Sequence, residues 1–139
     1  MINEINNTKR YIHKNVTGTA ECPLIYANKE QDIFITGLTI CNTHAQDSTY
    51  VDLYLKRINE NFHIPGTDGN WDSIPDDVTI LYIMKDIEIT ANNTLVLEPR
   101  EIDYNAQEFD LMLQLNASSS AVDVIVNYVP ENNNKTIWV

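Results

Sequence analysis

The sequence predicts an all-β protein: an antiparallel β-sandwich, jelly-roll or immunoglobulin-like, with about eight strands and extended terminal arms. Three observations predict this class. Apolar and polar residues alternate with period two along most of the chain, β-branched residues dominate these runs, and no segment shows a capped helical stripe. Short strands that follow one another without intervening helices are typical of two sheets packed face to face.

The predicted strands follow in order, and small features mark bends in them. Gly37 interrupts the alternation of the second run and predicts a β-bulge or a bend, and we expect a bend near Lys85 and Asp86. The turn ASSS between the last two runs predicts a hairpin connection. The runs are ECPLIYAN, DIFITGLTICNT, TYVDLYLKRI, VTILYIMKDIEI, ANNTLVLE, EFDLMLQLNA and SSSAVDVIVNYVP.

Composition divides the chain into one domain and two terminal segments. Residues 1–19 are polar and predict an N-terminal arm or a first edge strand, and residues 20–129 carry the sandwich. In the tail, residues 130–139, Pro130 and a run of Asn should end the last strand.

The tail finishes with the apolar residues Ile137, Trp138 and Val139. This tripeptide should fold back on its own sandwich or insert into a neighbouring subunit, because the open edges of a sandwich need cover.

Charge narrows the classes of partner. Twenty acidic residues against nine basic ones give a net charge of −11, which repels nucleic acid and anionic membrane surfaces, so neither is an expected partner. The sequence carries no recognisable secretion signal and no apolar run of membrane-spanning length, which favours folding in a cytoplasm. In that reducing compartment, we expect Cys22 and Cys41 to be buried thiols.

The stretch TICNTHAQDSTYVDLYL brings Cys41, His44 and Asp47 within seven positions of one another. A catalytic pair would need an exposed thiolate within hydrogen-bond reach of an oriented base. Here the partners sit in a short loop without a glycine-rich oxyanion cradle, and one Cys-x2-His pair cannot complete a zinc site. We therefore interpret the stretch as a hairpin corner with Cys41 packed in the sandwich, and we expect no catalytic residue and no cofactor.

A long loop from Asn59 to Asp77 holds the remaining candidates. Asp68, Asn70 and Asp72 have the spacing that begins a calcium loop, but Ser73 stands where glycine is needed and Thr79 where the bidentate glutamate belongs. Calcium is thus a weak hypothesis beside a solvated acidic loop.

Two aromatic residues of the same loop, Phe62 and Trp71, could plug into a partner protein, and Trp71 could instead stack on a sugar. With Ile137 and Trp138 of the tail, they are the predicted interface anchors.

The ordered set of strands resembles small β-sandwich virion proteins of tailed bacteriophages of the cyanophage or marine-phage type. The resemblance is carried by a strand ending in CNT, a VDLYL strand, an LYI-x-K strand, a TLVLE strand and the closing SSSAVDVIVNY, over roughly residues 20–129. The loop 59–77 is longer than in that pattern.

The resemblance implies a non-enzymatic structural protein that folds in the host cytoplasm and assembles on the capsid, neck or tail. Its partners would be other virion proteins and copies of itself, in a trimer or ring. The alternative is a host-recognition module that binds glycan, possibly with calcium, through Trp71 and the acidic residues beside it.

Overall fold

A computed structural model of the chain describes residues 10–58, 63–65, 71–73, 78–102 and 105–131. These residues form ten strands and one 3-10 turn, Pro99–Glu101. No described helix has the length and apolar character to cross a membrane. The strands are β1 (Arg10–Thr17), β2 (Cys22–Ile25), β3 (Asp32–Asn42), β4 (Thr49–Ile58), β5 (His63–Pro65), β6 (Trp71–Ser73), β7 (Val78–Ile89), β8 (Thr94–Leu97), β9 (Asp110–Leu115) and β10 (Ala121–Glu131).

Eight of the strands form two four-stranded sheets, and every pairing is antiparallel. The first sheet has the order β1-β10-β3-β8 and the second the order β2-β9-β4-β7, while β5 and β6 pair with each other. Apart from the step from β4 to β7, each connection between these eight strands passes from one sheet to the other. This strand order is that of a jelly roll, so the predicted sandwich is confirmed and the immunoglobulin-like alternative is not adopted.

Two connections predicted as hairpins are instead corners between the sheets. Residues 43–48 join β3 of the first sheet to β4 of the second, and residues 116–120 join β9 of the second to β10 of the first. A turn of five or six residues is compatible with either arrangement. The choice depends on burial, because each sheet must cover the inner face of the other.

The last strand also runs further than predicted, through Pro130 to Glu131. Pro130 lies opposite Ile33 of β3, beyond Tyr128, which is the last residue of β10 paired with β1. Proline lacks the amide hydrogen that a strand flanked on both sides needs, and the described part of the chain gives this stretch a strand partner on one side alone.

The core lies between the sheets and follows the predicted alternation. Val51, Leu53 and Leu55 of β4 lie on the inner face of their sheet beside the inward leucines of the neighbouring strand β9, and Tyr54 and Met112 lie on its outer face. Tyr54 and Met112 are nevertheless buried, with 2% and 5% of their surfaces exposed. The buried core cluster comprises Val16, Leu24, Ile35, Leu38, Ile40, Val51, Leu53, Leu55, Ile89, Leu97, Ile102, Leu111, Leu113, Leu115, Val122, Val124 and Val126.

Both predicted bends are present. Asn127 lies opposite Gly37 but Tyr128 lies opposite Ile35, so one extra residue bulges from β3. In β7 a second irregularity falls at Lys85 and Asp86. Asp86 has a left-handed backbone, with φ 53°, and its amide donates to the Asp52 carboxylate at 2.8 Å.

The insertion between β4 and β7, predicted as a loop, contains the β5-β6 ladder. From Tyr54–Tyr82 to Ile58–Val78, the numbers of paired residues sum to 136, and the pairs of β5 with β6, such as His63–Ser73, give the same sum. The β4-β7 and β5-β6 ladders therefore share one register. Gly and Pro in the insertion obscured the β5-β6 pairing in the sequence.

Candidate functional site

At the corner that carries Cys41, His44 and Asp47, the thiol and the imidazole contact different groups. Cys41 is half-buried on the outer face of the first sheet, opposite Asp123 and Thr94, so the expectation that it packs in the core is wrong. His44 Nδ1 accepts hydrogen bonds from the backbone amides of Gln46 and Asp47, at 3.2 and 3.1 Å. The imidazole thus shapes the corner.

The inward position that was assigned to Cys41 belongs to Asn42, which has no exposed surface. Its side-chain amide donates to the carbonyls of Asp47 and Ile89, each at 2.9 Å, and its side-chain oxygen accepts from the His44 amide at 2.9 Å. Every polar group of this side chain is therefore satisfied, and the corner is tied to β7. The sequence contained a signal for this: alternate residues of β3 point inward, and Leu38 and Ile40 put Asn42 on the inner face.

Thr49, at the other end of this corner, is buried without such partners. It is 1% exposed, and its hydroxyl oxygen has no hydrogen-bond partner. A buried polar group left unpaired costs stability. Its position opposite Ile89, in the inward phase of β4, explains the burial.

A second polar cluster lies on the outer face of the second sheet. The Glu21 carboxylate accepts from the Tyr54 hydroxyl and from Lys56 Nζ, the latter at 2.7 Å. The Lys56 hydrogen bond and then the Tyr54 hydrogen bond lower the pKa of Glu21, while burial and the Glu21 carboxylate raise the pKa of Tyr54. Because these groups satisfy one another, the cluster fastens the segment before β2 to β4.

A small cleft opens between the sheets beside Arg10, Tyr26 and Tyr128. Its volume is about 130 Å³. Sites for small organic ligands usually hold about 300–1,000 Å³, so this cleft is small for such a ligand. Among the residues that the structure describes, no group of three or more His, Cys, Asp or Glu side chains could hold a metal ion.

The largest group of neighbouring exposed apolar side chains in the described residues lies at the start of β7. Four large apolar side chains there, Val78, Ile80, Leu81 and Tyr82, are between 41% and 49% exposed. Val78 and Ile80 share the outer face with Lys56, and Leu81 lies opposite Leu55. No charged residue occurs from Val78 to Met84. We call residues 78–84 the β7 edge segment, because β7 borders its sheet and has β4 as its one described strand partner.

The other sheet edges are protected in ways that this segment is not. β2 and β8 have four residues each, and β1 carries Arg10, His13 and Lys14. Short strands and charged side chains are the usual means by which proteins keep sheet edges from pairing with another chain. The second half of β7 has such protection itself, in the bulge with Lys85 and Asp86.

Other exposed apolar side chains are scattered. On the outer face of the first sheet, Ile125 lies between His13 and Thr39, and Tyr11 lies opposite Asn127. Polar side chains thus separate these apolar ones. In the β7 edge segment, by contrast, the exposed apolar side chains are neighbours of one another.

The predicted interface anchors fall outside this description. Phe62, Ile137 and Trp138 lie outside the described residues, as do Asp68 and Asn70 of the calcium hypothesis. Trp71 and Asp72 are in β6, with their backbones paired to Pro65 and Ile64, but their side chains lie outside the described part. These predictions therefore stay predictions.

Sequence reasoning missed the β7 edge segment because it predicted an ordinary strand there. The signal was present as the uncharged run VTILYIM in a strongly acidic chain. Deciding that this run borders a sheet, however, needs the strand order.

Comparison with known proteins does not place the chain in a family. No protein-family profile matches the chain, and no curated protein matches it. One solved structure that it resembles is that of infectious bursal disease virus, Gx strain, at 13% identity and a TM-score of 0.41. The match covers 94% of this chain and 34% of the viral chain, so this chain spans about a third of that protein's length. Likeness at this level does not establish a shared function.

Proposed function

We propose that the chain is a non-enzymatic structural component of a tailed-phage virion. It decorates the capsid or attaches at the neck or tail, and it acts through protein–protein contacts. The observation that carries the proposal is the β7 edge segment, an uncharged and exposed apolar strand edge in a protein of net charge −11.

An unprotected strand edge of this kind favours a contact function. Its outward backbone amides and carbonyls can pair with another chain, and its apolar side chains lose water when they do so. Isolated apolar side chains on a surface are ordinary, but a contiguous group on a sheet edge is typical of an interaction site.

The jelly roll is compatible with the proposal but does not select it. Capsid proteins and lectins both use this fold, and a fold alone does not fix a function. The resemblance of the ordered strand motifs to phage virion proteins favours the structural role over the glycan-binding one.

The partners we propose are other virion proteins and further copies of this chain, arranged as a trimer or ring. Phe62, Trp71, Ile137 and Trp138 are proposed as additional anchors. The protein would fold in the host cytoplasm and then remain in the virion.

Labelling of particles tests this function. Antibodies raised against the purified protein are applied to purified particles of the phage whose genome encodes it, and the particles are imaged by electron microscopy. We expect labelling at the capsid, neck or tail, and protein in washed particles at a fixed copy number.

A chain absent from the particles would contradict the proposal. Binding of the purified protein to host glycan that is lost in Trp71→Ala, without incorporation into particles, would favour the alternative function.

A further inference from the structure

We propose that the β7 edge segment pairs antiparallel with the same segment of a second copy, centred on Leu81. This pairing would join two four-stranded sheets into one sheet of eight strands. The inference rests on the proposed function in so far as both require contact through this edge, and it adds the identity of the partner.

Charge favours this stretch over the rest of the surface as the place where two copies meet. Two molecules of net charge −11 repel each other, and carboxylates brought close at an interface would add to that repulsion. The β7 edge segment has seven residues and no charge, so two copies can meet along it without facing carboxylates from either strand.

The rival described edge of comparable length is less suited to self-pairing. In β1, Arg10 and Lys14 would face like charges in some registers, and Lys14 Nζ already donates to the carbonyl of Pro23 at 2.8 Å. Like charges directly opposite one another destabilise strand pairing.

The register follows from symmetry and from the side-chain faces. Leu81 is the midpoint of residues 78–84. Tyr54 pairs with Tyr82 but Leu53 pairs with Met84, so Ile83 is an extra residue in β7 and the regular part of a ladder about Leu81 spans residues 80–82. Ile80 then lies opposite Tyr82 of the second copy, and both belong to the outer face of the sheet. Cross-strand pairs of an aromatic and a β-branched residue stabilise antiparallel sheets. The extra residue Ile83 would end the regular ladder, before Lys85 and the left-handed Asp86.

A contact of this size is weak by itself. One strand edge with four exposed apolar side chains buries less than the roughly 1,200 Å² at the lower end of stable interfaces. In a virion, many copies held by other contacts raise the effective concentration, so a weak contact can still order them. Because the pairing is two-fold, a trimer or ring would need a second kind of contact.

Cysteine cross-linking of the full chain tests the register. In Leu81→Cys the two introduced thiols would lie directly opposite one another, within the reach of a disulfide after small adjustment. The unchanged chain controls for Cys22 and Cys41. Val96→Cys provides the matched control, because Val96 is an apolar residue on edge strand β8 with 58% of its surface exposed.

Under mild oxidation we expect Leu81→Cys to form a covalent dimer at least tenfold faster than Val96→Cys. Equal rates would overturn the inference. Ile80→Lys provides an independent check: it should lower the concentration-dependent mass measured by light scattering, whereas Val96→Lys should not. A mass unaffected by Ile80→Lys would also contradict the pairing.

The two proposals can fail separately. Labelled virions with no preferential cross-link would leave the virion role and remove β7 pairing. Preferential cross-linking of a chain that is absent from virions would keep β7 pairing and remove the virion role.

Discussion

The two ends of the sandwich differ in how their polar groups and apolar surface are used. At one end, which we call the Asn42 end, backbone hydrogen bonds join residues 43–48 to residues 90–93, with Asn92 N donating to His44 O at 3.2 Å. In the same region the Thr43 amide donates to the carbonyl of Ala121, at the start of β10, at 3.2 Å. At the opposite end, the Val78 end, β7 begins with apolar side chains that remain half exposed. The Asn42 end is thus closed by hydrogen bonds within the chain, whereas apolar side chains at the Val78 end stay exposed.

Under the proposed function, one end of the molecule provides stability and the other provides the contact surface. A buried asparagine with all its hydrogen bonds made holds loops in one arrangement. An apolar strand edge contributes little to the stability of the isolated chain, because much of its surface stays in water. Substitutions at the two ends should therefore affect different measurements.

The largest effect is expected for Asn42→Ala. It removes three hydrogen bonds and leaves the Asp47 and Ile89 carbonyls and the His44 amide short of a partner, so the free energy of unfolding should fall by about 3 kcal/mol. Urea denaturation measures this. Thr43→Ala removes an exposed hydroxyl from the same loop and should cost about 0.5 kcal/mol or less. Equal losses in the two variants would contradict the role of Asn42.

Ile80→Lys tests the Val78 end in the same way. Its side chain is 41% exposed, so we expect the free energy of unfolding to change by no more than about 0.5 kcal/mol. Self-association should weaken at least tenfold, since a buried charge would then stand in the β7 ladder. Denaturation and light scattering of the same sample separate the two effects. A large loss of stability would show that the segment belongs to the folded core.

Thr49→Val should have a smaller effect of opposite sign. The hydroxyl of Thr49 is buried without a partner, so replacement by a methyl group should stabilise the chain by about 1 kcal/mol. Thr49→Ser, which keeps the unpaired hydroxyl and loses the methyl group, should destabilise it. Thermal denaturation distinguishes these outcomes, and a destabilised Thr49→Val would mean that the hydroxyl does have a partner in solution.

The smallest expected effect concerns pH. The pKa of Glu21 is lowered below 4.5 in the folded protein, so its contribution to stability is present above 4.5 and is lost as the pH falls through the folded value. At pH 7, Glu21→Gln should cost a few tenths of a kcal/mol, because water screens this partly exposed ion pair. The difference from the unchanged chain should disappear at low pH. Glu30→Gln, at an exposed loop position, provides the control, and a difference that grew on acidification would contradict the account.

The strands were predictable because alternate side chains of a half-buried strand point to the core and to solvent, so apolar residues recur at every second position, as in Val51, Leu53 and Leu55. The bulge was predictable because Gly37 broke that rhythm. Sheet membership was not predictable, because residues 43–48 and 116–120 are compatible with a hairpin or an inter-sheet corner. That choice is made by long-range burial, which no local pattern records.

The candidate site was less accessible to sequence reasoning. The sequence interpretation placed Cys41 in the core and gave Asn42 no role. A shift of one residue in the alternation decides which of the two faces inward. The β7 edge segment has the composition of an interior strand, and the absence of a described neighbour on one side is a property of the whole sheet. The shared register of the β4-β7 and β5-β6 ladders likewise depends on pairing between residues distant in sequence.

Hydrogen–deuterium exchange of the full chain at low and high protein concentration tests the central claim most directly. The account predicts that amides of residues 78–84 exchange more slowly at high concentration, while those of residues 43–48 exchange at the same rate in both. Exchange in residues 78–84 that is independent of concentration would contradict the claim that the Val78 end is a contact surface between copies of the chain.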